Sequence, residues 1–181
     1  MRMNPISESH MAASSKHEAN PQTLAGDEQT DAQAIQWRLL AFNELSNHDL
    51  YALLALRESI FIVEQDVPYT DIDGKDLHCT HLLGCLDGEL VAYMRILPVG
   101  LFEAGFFSMG RVVLRQDLRS TGIGHELVRR GMEHLDSIRS NVPVKISSQL
   151  YLKNFYSRFG FVAVGEMYIE DRIPHIAMVR R

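Results

Sequence analysis

The sequence predicts a mixed α/β domain: a mostly antiparallel, twisted sheet flanked by helices. Apolar or alternating runs of strand length recur from Ile35 to the end of the chain. Two stretches, near residues 50–61 and 122–139, instead repeat their apolar residues at helical spacing. From Phe106 onward the order is strand, helix, strand, helix, which calls for a crossover and one parallel pair of strands.

Residues 1–34 are a different material. Ala, Ser, Gln, Asn, Glu and Asp dominate there, and large apolar residues are nearly absent. Such a segment buries too little area to offset chain entropy, so it reads as a disordered tail. The domain is residues 35–181. Its first strand is the alternating Ile35–Leu40. Ser46 followed by Asp49 is a capping box, and Leu50, Leu53, Leu54, Arg57, Ile60 and Phe61 continue it as an amphipathic helix to about Phe61. Pro68, Asp71, Asp73 and Gly74 mark residues 63–80 as loop. His81–Leu86 and Leu90–Leu97 form a hairpin turned at Asp87-Gly88. Phe106–Leu114 is a strand, and Gly122–Arg139 is a helix with Ile123, Leu127, Val128, Gly131, Met132, Leu135 and Ile138 on one face. Val144–Ser148 is a strand, Leu150–Phe159 a helix, and Phe161–Tyr168 and His175–Arg180 the last strands.

The composition, 46% hydrophobic and 23% charged, is that of an ordinary soluble domain. A net charge of −5 argues against nucleic acid as a partner. No apolar run reaches the length of a membrane span, and two cysteines make no disulfide scaffold. The expected compartment is the cytoplasm, with no membrane partner.

Arg119-Ser120-Thr121-Gly122-Ile123-Gly124 lies between a strand and a helix. Glycines there let backbone N–H groups approach an anion, and the helix start adds unpaired donors and a positive dipole end. A Walker A loop needs Lys-Ser or Lys-Thr after the last glycine, where this chain has His125-Glu126. A dinucleotide fingerprint needs a third glycine and a later acidic residue. What fits is R-x-x-G-x-G, followed by a strand and the aromatic stretch Leu150–Phe161.

These motifs together resemble the GCN5-related N-acetyltransferase (GNAT) superfamily. Val63-Glu64-Gln65, Pro68-Tyr69, Asp71-Ile72-Asp73-Gly74, Gly110-Arg111-Val112, Asn154-Phe155-Tyr156 and Ile173-Pro174-His175-Ile176 are similar to its ElaA subfamily. The resemblance implies acetyl-coenzyme A as acyl donor, with no metal. It implies that Arg119, Ser120, Thr121, Gly122, Ile123 and Gly124 hold the diphosphate. The backbone of Val112, Val113 and Leu114 would then bond the pantetheine arm as an added strand, with Asn154 assisting. It casts Tyr156 as the acid that protonates the departing thiolate. A phenol with a pKa near 10 suits a thiol near 8.5–10.

Glu64, His78, His81, Asp171 and His175 are the candidate bases, with Glu64 and His175 ranked first because they lie in matching segments. His78, Cys79, His81 and Cys85 lack the spacing of a zinc site. Asp71-x-Asp73-Gly74-x-Asp76 fails the calcium-loop template and reads as a polar turn. The expected reaction is direct acetyl transfer to a primary amine in a ternary complex. The acceptor is a small molecule or a peptide, and a homodimer is compatible with the resemblance. The acidic residues of the 63–80 loop hint at a cationic amine. The alternatives are an acyl-homoserine-lactone synthase-like acyltransferase and a non-catalytic acyl-coenzyme A-binding module.

Overall fold

The structure, a computed structural model, describes residues 34–181. The expectation of a tail over residues 1–34 therefore lies outside the described residues, Ala34 apart. Strands β1 (Gln36–Ala41), β2 (Thr80–Leu86), β3 (Glu89–Leu97) and β4 (Ser108–Leu114) form an antiparallel sheet in that order. Strands β5 (Val144–Gln149), β6 (Val162–Glu170) and β7 (Ile173–Arg180) form a second antiparallel sheet, ordered β5-β7-β6. The β2–β3 hairpin turns where expected. Asp87 and Gly88 both have positive φ, 53° and 83°, as a turn matched to strand twist requires.

The anticipated parallel pair shrinks to one bridge. Phe107 N–H donates to the Pro143 carbonyl at 3.0 Å, and Lys145 N–H donates to the Phe107 carbonyl at 2.9 Å. Beyond that point β4 and β5 share no ladder, so the single sheet expected from the sequence is two sheets joined at a corner.

Helix α1 (Asn47–Arg57) starts on the predicted cap. Ser46 Oγ accepts from the Asp49 N–H at 3.0 Å, and the Asp49 carboxylate accepts from the Ser46 N–H at 3.2 Å. The Arg38 guanidinium beside it, outweighing partial burial, holds Asp49 down at a pKa of about 2. The helix outruns its expected end. It continues as a π-helix over Glu58–Glu64, closed by Gln65 N–H on the Ile60 carbonyl at 3.1 Å. Helix α2 spans Ile123–Ile138. The aromatic stretch, expected as one helix, splits into a 3₁₀ turn, Leu150–Leu152, and the short helix α3 (Lys153–Ser157).

The four-stranded sheet is covered on both faces. Leu127, Val128, Met132 and Leu135 of α2 pack with Met94, Ile96, Ile146 and Met178 on one side. Gly131 lets α2 come close, since a Cβ there would stand 2.5 Å from Met94 Sδ. On the other face Leu53 and Leu56 of α1 pack with Leu83, Tyr93 and Val113.

Beneath the 66–78 loop lies a buried ion cluster. Arg57, fully buried, donates through Nε to Asp71 Oδ2 at 2.8 Å and through Nη1 to Asp76 Oδ1 at 2.9 Å. Arg95, also buried, grips both oxygens of Asp73 at 2.7 and 2.8 Å and reaches Asp76 at 3.0 Å. Burial works to raise the Asp73 pKa, but the Arg95 hydrogen bonds overcome it and hold the group well below the usual carboxylate range. Neighbouring His81 is buried between Tyr93 Oη (2.8 Å) and the Asp76 carbonyl (3.0 Å), and burial lowers its pKa. That removes His81 from the candidate bases, because both ring nitrogens are engaged in the core. The four residues of the zinc reading do not converge either. Cys79 Sγ donates to the Lys75 carbonyl, and among the described residues no group of His, Cys, Asp and Glu is arranged to hold a metal.

Breaking a buried ion network from one side leaves charge uncompensated, at about 3–5 kcal/mol. Arg57→Met is therefore expected to lower unfolding free energy by about that amount in urea titration. A change under about 1 kcal/mol would show that the network contributes little.

Candidate active site

Where β4 and β5 part, β4 becomes an edge. Arg115 N–H donates to the Val91 carbonyl at 2.8 Å, so alternation turns the backbone of Val113 toward β3 as well. The backbone groups of Val112 and Leu114 then face the gap. Of the three residues expected to bond a ligand as an added strand, Val112 and Leu114 are oriented for it and Val113 is not. The side chains of Val112 and Leu114 pack on the α2 core, while Val113 is buried on the α1 side.

At the far end of β4 the chain enters the R-x-x-G-x-G loop. A 3₁₀ turn, Gln116–Leu118, leads into Arg119, and Thr121 Oγ1 caps the turn on the Leu118 carbonyl at 2.6 Å. Ser120 and Gly122 take positive φ, 64° and 93°. Gly122 is the N-cap of α2, and no side chain caps that helix, so its first N–H groups lie open. Glu126 in the first turn would repel an anion. The Arg129 hydrogen bond, ahead of partial burial and of Arg130, engages it instead and holds its pKa near 2.

Tyr156 on α3 is 6% exposed and packs edge-on against Phe155 and Phe161. Its hydroxyl has no hydrogen-bond partner among the described residues. Burial pushes its pKa well above 10, with nearby Tyr151 adding to the rise. The expectation of a phenol near its ordinary value is thus corrected: the group is a firmly protonated donor. Asn154 is exposed on the same short helix.

Glu64 stands elsewhere than a base should. Its two oxygens accept from Arg119 Nη1 and Nη2 at 2.6 and 2.8 Å. A carboxylate held by both oxygens on a guanidinium has little free capacity to take a proton from an acceptor. The adjacent Gln65 accepts from Gln149 Nε2 of β5 at 3.4 Å. The π-helical end of α1 therefore touches both walls of the gap. His175 lies on β7 opposite Gln149 and Tyr168. Its Nδ1 is 2.9 Å from the Ile173 carbonyl, which assigns the proton to Nδ1 and leaves a lone pair on Nε2. The ring stacks on Tyr168, whose hydroxyl is 2.6 Å from Ser147 Oγ. His78 and Asp171 are exposed, His78 in the 3₁₀ turn Lys75–His78 and Asp171 in the β6–β7 turn.

Gln65 lies in the Val63-Glu64-Gln65 motif, but Gln149 carried no sequence signal, because surface amides are common. Arg111 had one: a lone arginine inside an apolar strand is out of pattern. It has a φ of 53° at a bulge, where Arg95 pairs with Gly110 but Tyr93 pairs with Val113.

The two loop glycines differ in what they require. A side chain at Gly122 must adopt a left-handed backbone, whereas a Cβ at Gly124 would make only an ordinary 3.8 Å contact with Leu114. Gly122→Ala is expected to destabilise by about 1 kcal/mol and to weaken coenzyme A binding measured by calorimetry. Gly124→Ala should leave stability within about 0.5 kcal/mol of the parent. Equal effects at the two positions would contradict this assignment of the turn.

A family model for an acetyltransferase (GNAT) domain matches residues 62–181. ElaA of Escherichia coli (strain K12) is 44% identical over 148 residues, covering 81% of this chain and 96% of that protein. The crystal structure of Escherichia coli ElaA superimposes with a TM-score of 0.77 at 43% identity, over 81% of this chain and 99% of the other. An acyl-CoA N-acyltransferase from Pseudomonas aeruginosa gives a TM-score of 0.77 at 41% identity, over 82% and 100%. The free edge of β4, the uncapped helix start beyond it and these likenesses agree: the chain belongs to the GNAT acetyltransferase family and is an ElaA-like member of it.

Proposed function

We propose that this GNAT-family acyltransferase moves the acetyl group of acetyl-coenzyme A to a primary amine by direct transfer within a ternary complex. The observation that carries the reading is the edge of β4, which beyond its one bridge to β5 is unpaired among the described residues and leads into a helix start with no side-chain cap. Backbone groups of Val112 and Leu114 suit an amide-bearing arm laid along the strand. Arg119 and the N–H groups of residues 121–124 suit a diphosphate, and Asn154 is free to reach the arm. No cysteine is available as an acyl carrier at this place, since Cys79 is buried beneath the 66–78 loop and Cys85 lies on β2. That supports transfer without a covalent enzyme intermediate.

In this reading the acceptor nitrogen, after giving one proton to His175, attacks the thioester carbonyl carbon; the carbon–sulfur bond breaks, the sulfur takes the proton of Tyr156, and the phenolate recovers the second proton shed by the nitrogen as it becomes an amide. The high pKa of a buried phenol does not oppose this. The thiolate leaves within the same desolvated gap, and burial raises the pKa of a thiol as it does that of a phenol. His175 Nε2, with its lone pair free, accepts the proton that the acceptor ammonium must lose. Glu64 serves Arg119 by fixing the guanidinium beside the loop.

The test is thiol release from acetyl-coenzyme A in the presence of a panel of amines. Tyr156→Phe is expected to lower kcat by about 10² while leaving coenzyme A affinity unchanged. Because Tyr156 stays protonated, the parent's activity should show no loss attributable to it up to about pH 10. Turnover of Tyr156→Phe at the parent's rate would sink its role as acid. Coenzyme A binding without thiol release for any amine would mark the protein as a binding module instead.

A further inference from the structure

We propose that the acceptor carries a carboxylate close to its amine, as a free amino acid does, and that Arg111 receives that carboxylate. The inference rests on the acetyltransferase reading above and names the substrate class of the same gap.

The loop that suggested a cationic acceptor is already neutralised. Asp71, Asp73 and Asp76 are engaged by Arg57 and Arg95 through the short, directed hydrogen bonds of the buried cluster. Tyr69 Oη donates to the remaining oxygen of Asp71 at 3.0 Å. Little acceptor capacity is left there for an incoming ammonium group.

Arg111 is the surplus member of the cluster. A guanidinium has five N–H donors. Among the described residues Arg111 makes one hydrogen bond, from Nη2 to the Asp71 carbonyl at 3.2 Å, and that carbonyl already accepts from Arg57 at 3.0 Å. Its Nε lies 2.6 Å from Asp71 Oδ1, but the N–H is not directed at that oxygen and has no hydrogen-bond partner. Its Nη2 stands 3.6 Å from Asp73, too far for a hydrogen bond. The charge count agrees. Three carboxylates face Arg57, Arg95, Arg111 and Lys75, the last with Nζ 3.7 Å from Asp73. One more anion balances the cluster, and the Arg fork is shaped for a carboxylate.

The position is also where an acceptor must come. Arg111 sits three residues before Leu114 on the strand whose edge would hold the pantetheine arm. That is about 10 Å back from the end of β4 at ~3.3 Å per residue, on the side away from the diphosphate loop. Its side chain is 22% exposed and lies over the Tyr69 ring, 5.6 Å from the centroid. Beside it, a Cβ on Gly110 would meet no atom within 4 Å, so there is open space next to the bulge. The left-handed backbone that aims Arg111 this way is unfavourable for a residue with a Cβ. Strain of this kind gathers where a side chain must point in one direction for function.

The experiment compares matched acceptors: lysine with cadaverine, phenylalanine with phenethylamine, and each amino acid with its methyl ester. Thiol release from acetyl-coenzyme A is expected to show at least a tenfold higher kcat/KM for the carboxylate member of the preferred pair. Arg111→Gln should erase that preference mainly through KM, and Arg111→Lys should restore part of it. Both variants should bind coenzyme A as the parent does. Equal turnover of acid, ester and amine would overturn the proposal, as would a loss in Arg111→Gln that is the same for all three. If no amine releases thiol, the acetyltransferase reading has failed, and calorimetry decides the carboxylate site on its own. N-acetyl-lysine and N-acetyl-phenylalanine should then bind the parent and not Arg111→Gln, and binding unaffected by the substitution, or absent in the parent, refutes the site.

Discussion

Two strands that touch at one point and then separate define this protein. The bridge at Phe107 and Val144 joins the two sheets, and past it neither β4 nor β5 satisfies the backbone groups that face the gap. Unpaired backbone donors and acceptors in a half-buried gap are unfavourable unless water or a ligand meets them. The rest of the structure arranges itself around that vacancy in the ladder. Helix α2 starts beyond one end of it, and the extended end of α1 reaches Arg119 through Glu64 and Gln149 of β5 through Gln65.

The ion cluster under the 66–78 loop gives the other wall its stiffness. Arg57 and Arg95 fix three aspartates, and through them a loop with little apolar anchorage of its own: Val67 and Cys79 are buried, while Ile72 and Leu77 are exposed. A loop tied by directed charge has a defined shape without a large core. It also leaves one guanidinium, that of Arg111, held in place but under-bonded. That residue is also the left-handed arginine in the middle of β4.

Much of this was legible in the residues. The capping box at Ser46 and Asp49, the Asp87-Gly88 hairpin and the apolar face of α2 depend on local chemistry, and each appears where its pattern falls. Gly122 likewise takes a left-handed backbone and opens α2, as a glycine at a strand-to-helix turn suggests. What was not legible depends on distant partners. The capture of Glu64 by Arg119, 55 residues away, engages a residue that the sequence offered as a candidate base. The loop acids hinted at a cation until Arg57 and Arg95 were seen to consume them. The π-helical extension of α1 and the loss of the parallel ladder likewise leave no periodic trace, because both are set by packing rather than by sequence spacing.

The most direct test reads the edge of β4 itself, by hydrogen exchange of single amides. In the free protein the Val112 and Leu114 amides should exchange quickly while that of Val113, turned toward β3, stays protected. Saturating coenzyme A should slow Val112 and Leu114 by at least tenfold and leave Val113 unchanged. Equal protection of all three amides in the free protein, or no response to coenzyme A, would contradict the account.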